Sequence, residues 1–193
     1  DVMRRSTSGK PAMALSDKQK GVMRGMATAA AFVVITLAIA ILWRPTALLP
    51  ATDAPGARLG WAAAWLLGPA LCLLLSIGRL AGQRFHTPED IDGSGLTTGS
   101  ERAHVLQAII QNTLEQTLLA ALVWGACAML LPFGWLAAIP AATLLFVVGR
   151  ILFAWGYVRG APGRALGFAL TFYGTAALAL IAVIGEAGPL LDL

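Results

Sequence analysis

HVLQAIIQNTLEQTLLA, residues 104–120, sits inside a long apolar run and yet carries Gln107, Gln111, Asn112, Glu115 and Gln116. Its composition is helical. At about 100° per residue, His104, Gln107, Gln111, Asn112 and Glu115 fall on one face, with Gln116 at its edge. The opposite face is Val105, Ile109, Leu118 and similar residues. In a bilayer, this helix places the Glu115 carboxylate about 20 Å along the axis from Arg102. A charge at that depth has to face protein or trapped water, and it nominates a functional site.

The surrounding chain is built for a membrane. Of its 193 residues 58% are hydrophobic and only 12% charged, where soluble domains carry about 25% charged residues. That describes one integral membrane domain and leaves no soluble domain of useful size. Membrane lipids are the expected surroundings, and nucleic acid is not an expected partner. Cys72 and Cys127 lie in apolar runs with no second Cys or His at metal-ligand spacing. They read as small core hydrophobes, and no metal site is expected.

Residues 1–21 are polar and basic, with Arg4, Arg5, Lys10, Lys18 and Lys20, and read as a flexible cytoplasmic tail. The apolar run 22–43 meets the length of roughly 20 residues that a span needs. It continues straight into Trp43, Arg44 and Pro45 without a small-residue cleavage site, so it reads as a retained span. A membrane domain over 59–186 follows, with spans at about 59–82, 102–131, 135–158 and 165–186. Trp61 and Trp65 suit interfacial anchors. The loop QRFHTPEDIDGSGLTTGSE, residues 83–101, is acidic through Glu89, Asp90 and Asp92, and RGAPGR, residues 159–164, reads as a short turn.

With the N-terminus inside, eleven of the 14 Lys and Arg residues lie on the inner side, Arg44 and Arg58 outside, and Arg150 within a span. The positive-inside rule therefore sets the N-terminus in the cytoplasm and the C-terminus outside. The polar end of span 102–131 then opens to the cytoplasm.

GRILFAWGYVRG, residues 149–160, repeats the anomaly one span later. Arg150 and Tyr157 share a face, and Arg150 lies about 13 Å from Arg159 along the axis. Glu115 and Arg150 sit at similar depths. An unpaired charge in hydrocarbon costs several kcal/mol, so a Glu115–Arg150 pair is expected. The plainer role for that pair, with Asn112, is to hold helices together. Such a role does not need the cluster Arg79, Tyr157, Arg159 and Arg164 above it. Arginines lining a cavity open to the cytoplasm suit a carboxylated, anionic ligand.

These residues carry a resemblance. Arg79 is followed by RFHTPED, then ER, then NTLE with Asn112 and Glu115; next come R-x6-Y-x-R with Arg150, Tyr157 and Arg159, and RALGF from Arg164. In that order and spacing the array resembles the MAPEG family, membrane-associated proteins of eicosanoid and glutathione metabolism. The resemblance runs over about residues 60–186 and would make this a bacterial-type member of the inner membrane, with residues 22–43 as an added N-terminal helix. It implies an all-α, four-helix membrane bundle in a homotrimer, with sites between subunits near the cytoplasmic face. Glutathione is the implied co-substrate. Arg79, Asn112, Glu115, Arg150 and Tyr157 would hold it, and Arg164 would stabilise its thiolate. Tyr157 and Arg159 are rivals for that activating role, Arg159 otherwise joining the binding set. A neighbouring cation serves this chemistry because a free thiol has a pKa of about 8.5. The implied activity is a glutathione transferase or peroxidase acting on lipophilic electrophiles or hydroperoxides.

The sequence departs from the family pattern at three places. Ala108 stands where many members have an arginine, Gln116 where a proline often follows the Glu, and Phe153 where a Tyr or His often stands. A non-enzymatic protein of the same fold, binding a lipid or another anionic small molecule, is the alternative that Ala108 and Phe153 favour. A purely structural membrane protein is the third reading. His86 is expected to shape a turn, while His104 stays open between an interfacial residue and a ligand contact. Gly149, Gly156, Gly160, Gly163, Gly167 and Gly174 are expected to let helices approach closely.

Overall fold

The computed structural model describes residues 15–93 and 95–187, so most of the basic tail expected over 1–21 lies outside the described residues. Five long helices account for most of the rest: α1 (Asp17–Trp43), α2 (Pro55–His86), α3 (Glu101–Leu130), α4 (Ala138–Gly156) and α5 (Gly160–Ala187). The first three and the segment Phe133–Glu186 are each long and apolar enough to cross a membrane. That last segment has 54 residues. As one straight helix it would reach about 81 Å, far beyond a hydrocarbon core of about 30 Å. It folds back on itself instead, through a single 3-10 turn at Tyr157–Arg159, so that α4 and α5 form an antiparallel hairpin. The chain is an all-helical integral membrane protein.

The turn expected over 159–164 is shorter than its composition suggests. Gly160 takes a φ of 79° and α5 begins there. Pro162 sits in the first turn of α5, where a missing N–H leaves no intrahelical bond unmade. The seam of the hairpin is glycine against backbone: a Cβ on Gly149, Gly156, Gly163 or Gly167 would strike main-chain atoms of the opposite helix. Gly174 makes only ordinary contact with Leu145, and a Cβ on Gly160 would meet nothing. Those two therefore do not serve close approach; Gly160 supplies a left-handed backbone instead.

Helix α1 lies along α5, with Gly21 against Pro162 and Gly25 against Ala165 and Leu166. Helix α2 packs on α3 and α4. Trp124 and Phe146 meet edge to face, with ring centroids 6.1 Å apart, among the fully buried Leu136, Ile139 and Leu178. Phe32, Leu74, Leu122 and Val183 are exposed on the outside, as a lipid-facing surface requires.

Capping fixes the helix ends. Ser16 and Gln19 form a capping box at the start of α1, the Gln19 Oε1 accepting from the Ser16 N–H at 2.8 Å. Ser100 caps α3, its Oγ accepting from the Ala103 N–H at 3.2 Å. Asp90 holds that cap in place, accepting from the Ser100 N–H at 2.6 Å, from the Ser100 hydroxyl at 2.7 Å and from Gln83 at 3.1 Å. The acidic loop thus contains one buried carboxylate that organises the way into α3. The Ser100 N–H, then the Ser100 hydroxyl and Gln83, hold the Asp90 carboxyl below its ordinary range against the opposing effect of burial.

Candidate functional site

Arg150 on α4 is 5% exposed and ties three helices together. Its Nε donates to Thr171 Oγ1 of α5 at 3.0 Å, and its Nη1 donates to Asn112 Oδ1 of α3 at 2.8 Å. The Thr171 hydroxyl in turn donates to the Gly167 carbonyl at 3.0 Å. The guanidinium lies over the Phe153 ring, 4.6 Å from its centroid, a cation–π contact. Its Nη2 is buried with no partner.

The expected Glu115–Arg150 pair does not form. Glu115 is exposed and accepts from Gln111 at 2.9 Å, one helical turn back on α3. The reason is angular. Glu115 is about 60° around α3 from Asn112, and only Asn112 is turned to reach α4. A buried guanidinium is left with two neutral acceptors and no carboxylate.

In front of this network is a cavity of about 510 Å³ among α1, α3, α4 and α5. Asn112 and Ala108 supply its α3 side, and Phe153 and Tyr157 its α4 side. Arg164, Phe168, Phe172 and Tyr173 come from α5, and Val22 and Met26 from α1. The aromatic rings form a continuous shell: Phe153 meets Tyr157 edge to face at 5.4 Å, and Phe168 stacks on Phe172 at 5.8 Å. Arg164 lies over the Tyr157 ring at 4.5 Å. Among the described residues no acidic side chain lines the space. Arg164 in the wall and Arg150 behind Asn112 make its polar end positive.

Of the residues expected at a site, Asn112, Tyr157 and Arg164 line this cavity and Arg150 braces it from behind. Arg79 and Glu115 are exposed elsewhere on the chain. Arg159 is exposed too and stacks on Trp155 at 3.7 Å. His104 is exposed and outside the lining, and His86 bonds through Nδ1 with the Gly82 carbonyl at 2.8 Å. Sequence reasoning missed Thr171, Phe168, Phe172 and Tyr173. The run FALTFY, residues 168–173, did carry a signal, since positions 168 and 172 share a helix face. It also missed Val22 and Met26, which nothing in the uniformly apolar α1 sequence sets apart.

Fold and cavity together define a class: a polytopic helical membrane protein with a small-molecule-sized space between its helices, cationic at one end. Residues 59–184 match the MAPEG family, and the chain belongs to it. The match runs from within α2 to within α5 and leaves α1 outside. The chain is similar to an uncharacterized protein of Synechocystis sp., 36% identical over 107 residues, which cover 52% of this chain and 66% of that relative. The match thus spans just under two thirds of that relative's length. No solved structure matches the chain. Family membership carries a glutathione-related or allied membrane function in general terms.

Proposed function

We propose that the protein is a membrane glutathione-dependent transferase or peroxidase. The observation that carries this reading is the position of Arg164: it lines the cavity together with Asn112 and is stacked on Tyr157, with no carboxylate among the described lining residues. A guanidinium so placed favours the thiolate over the thiol and lowers the pKa of a bound thiol from about 8.5 toward neutrality. Glutathione supplies the nucleophilic sulfur. Asn112, with its Oδ1 engaged by Arg150, keeps its amide N–H groups for the tripeptide's carbonyls. The buried charge of Arg150 favours an anionic ligand at that end. Tyr157 stands beside Arg164 to orient the sulfur.

Arg79, Glu115 and Arg159 fit the reading in a homotrimer, where an exposed face of one subunit meets the cavity of the next. In that arrangement the ligand's remaining carboxylate and amine are held from the neighbouring chain. We place the protein in a bacterial inner membrane, with the cationic end of the cavity toward the cytoplasm, because the basic residues concentrate at that end.

The purified protein titrated with glutathione should develop the ultraviolet thiolate band saturably, and Arg164→Ala should abolish the band. Absence of binding at millimolar glutathione would overturn the proposal. The second reading, a non-enzymatic receptor for an anionic amphiphile, draws on Ala108 and Phe153, which make the wall apolar where the family is often polar. Anion binding without a thiolate band would favour it.

A further inference from the structure

Among the described residues four buried side-chain atoms have no hydrogen-bond partner: Arg150 Nη2, Gln116 Oε1, Trp124 Nε1 and Thr175 Oγ1. They fall at two levels of the bundle. The Cys127 thiol donates to the Leu178 carbonyl at 3.5 Å, which sets the register of α3 against α5. Trp124 and Thr175 each lie three residues before that contact on helices that run the same way. Both are neutral, and Trp124 is about 18 Å along α3 from Asn112.

Gln116 is a different case. It is 6% exposed and sits one turn beyond Asn112 on the same face of α3. A long side chain on a helix leans back toward the N-terminus. Gln116 therefore leans toward the level at which Asn112 Oδ1 accepts from Arg150 Nη1 at 2.8 Å. Nη2 is the other terminal nitrogen of the same guanidinium. A charged donor and a carbonyl acceptor thus stand on adjoining turns, both buried, each unpartnered and not bonded to the other. Buried groups of this kind are rarely left unpaired, and a gap too wide for a direct bond is bridged by water.

We infer that Gln116 is a positioning residue for Arg150: one ordered water accepts from Arg150 Nη2 and donates to Gln116 Oε1, holding the guanidinium so that Nη1 stays on Asn112. The choice of an amide matters. A carboxylate at 116 would draw the guanidinium off Asn112 into a direct ion pair and cancel its charge. An amide carbonyl reached through water steadies the same nitrogen and leaves Arg150 cationic. The series from Gln116 through Arg150 ends on Asn112, whose amide lines the cavity. The inference rests on the glutathione reading for its effect on binding, though not for the pairing itself.

The test uses the full chain in lipid nanodiscs and a double-mutant cycle. Without glutathione, Gln116→Leu should lower the unfolding midpoint of the native protein. After Arg150→Met has removed the guanidinium, the same substitution should lower it less, or raise it. Thr175→Val, which removes an unpartnered hydroxyl of another level, should shift both backgrounds alike. Additive shifts for Gln116→Leu would overturn the inference. In protein carrying isotope-labelled arginine, the side-chain resonance missing from Arg150→Met identifies Arg150 by solid-state NMR. Its Nη2 protons should show a contact to water that Gln116→Leu removes; no such contact, or one that persists in the variant, would also overturn it. Gln116→Glu should weaken glutathione binding about as far as Arg150→Met does, roughly fivefold, with the midpoint held or raised. A merely structural residue would not split affinity from stability in that way, and unchanged affinity would remove the positioning role. Should Gln116→Glu not fold, the leucine cycle and the water contact decide. If the cycle is coupled but the native protein binds no glutathione, the transferase reading fails and the pairing stands. If the thiolate band appears and the cycle is additive, the reverse holds.

Discussion

Among the described residues two arginines are buried in the bundle, Arg58 at 9% exposure and Arg150 at 5%, and they are satisfied in opposite ways. Arg58, near the start of α2, pairs with the Asp53 carboxylate and donates to the Ala128 carbonyl at 3.2 Å and the Leu131 carbonyl at 2.9 Å. It closes the C-terminus of α3, where unpaired carbonyls and the negative end of the helix dipole call for a cation. Arg150 has neutral oxygens only, and one of its nitrogens has no partner. The first arrangement is a finished structural cap. The second keeps positive charge in reserve beside a cavity, which is what a site for an anion needs and what a purely structural residue avoids.

Replacing each arginine by an apolar residue should separate the two roles. Arg150→Met should leave the protein folded, since an apolar side chain of similar volume removes a poorly compensated charge. It should weaken glutathione binding by about 1 kcal/mol, the net worth of one hydrogen bond, because Asn112 loses the partner that orients its amide. Calorimetry on the folded variant measures that loss, and unchanged affinity would place Arg150 with the structural arginines. Arg58→Ala should do the reverse. It strands the α3 carbonyls and should cost about 1–3 kcal/mol of stability, read as a lowered unfolding midpoint, with ligand affinity intact in the folded fraction.

The smallest effect belongs to the loop. The Asp90 carboxyl is held low by its bonds to Ser100 and Gln83. Its stabilisation is therefore complete above the ordinary Asp pKa of about 3.9 and is lost as pH falls through the lower folded value. Protection of the Ser100 amide, taken relative to its intrinsic exchange rate at each pH, should fall on that acid limb in the native protein. In Asp90→Asn the pH dependence should flatten, and a limb that persists in the variant would assign it to another group.

The comparison also shows where sequence could lead and where it could not. The membrane class, the all-helical fold and the polar face of α3 were legible because hydrophobic periodicity and buried polar residues leave marks in one dimension. Asn112, Tyr157 and Arg164 were found through a spaced motif, and the structure brings them around one cavity. The partner of Arg150 was not legible. Charge balance nominated Glu115, but the rotation of α3 against α4 selected Asn112, and the second partner, Thr171, is a residue type that looks unremarkable in an apolar helix. Arg58 counted only as an outer charge, because a carbonyl cap contributed by residues seventy positions away has no local signature. The place of α1 at the cavity was hidden for a similar reason: valine and methionine are equally suited to lipid and to a cavity wall.

The short Tyr157–Arg159 turn also bears on how the protein is made. With only the Tyr157–Arg159 turn between them and a glycine seam holding them backbone to backbone, α4 and α5 are built to enter the bilayer as one helical hairpin. Arg150 enters with them, and at the centre of a lone helix such a residue costs about 2.5–3.5 kcal/mol on insertion scales. Thr171, its partner within the hairpin, offsets part of that at once. Asn112 supplies the second acceptor from α3, so a hairpin not yet docked on α3 carries its buried charge with one hydrogen bond fewer.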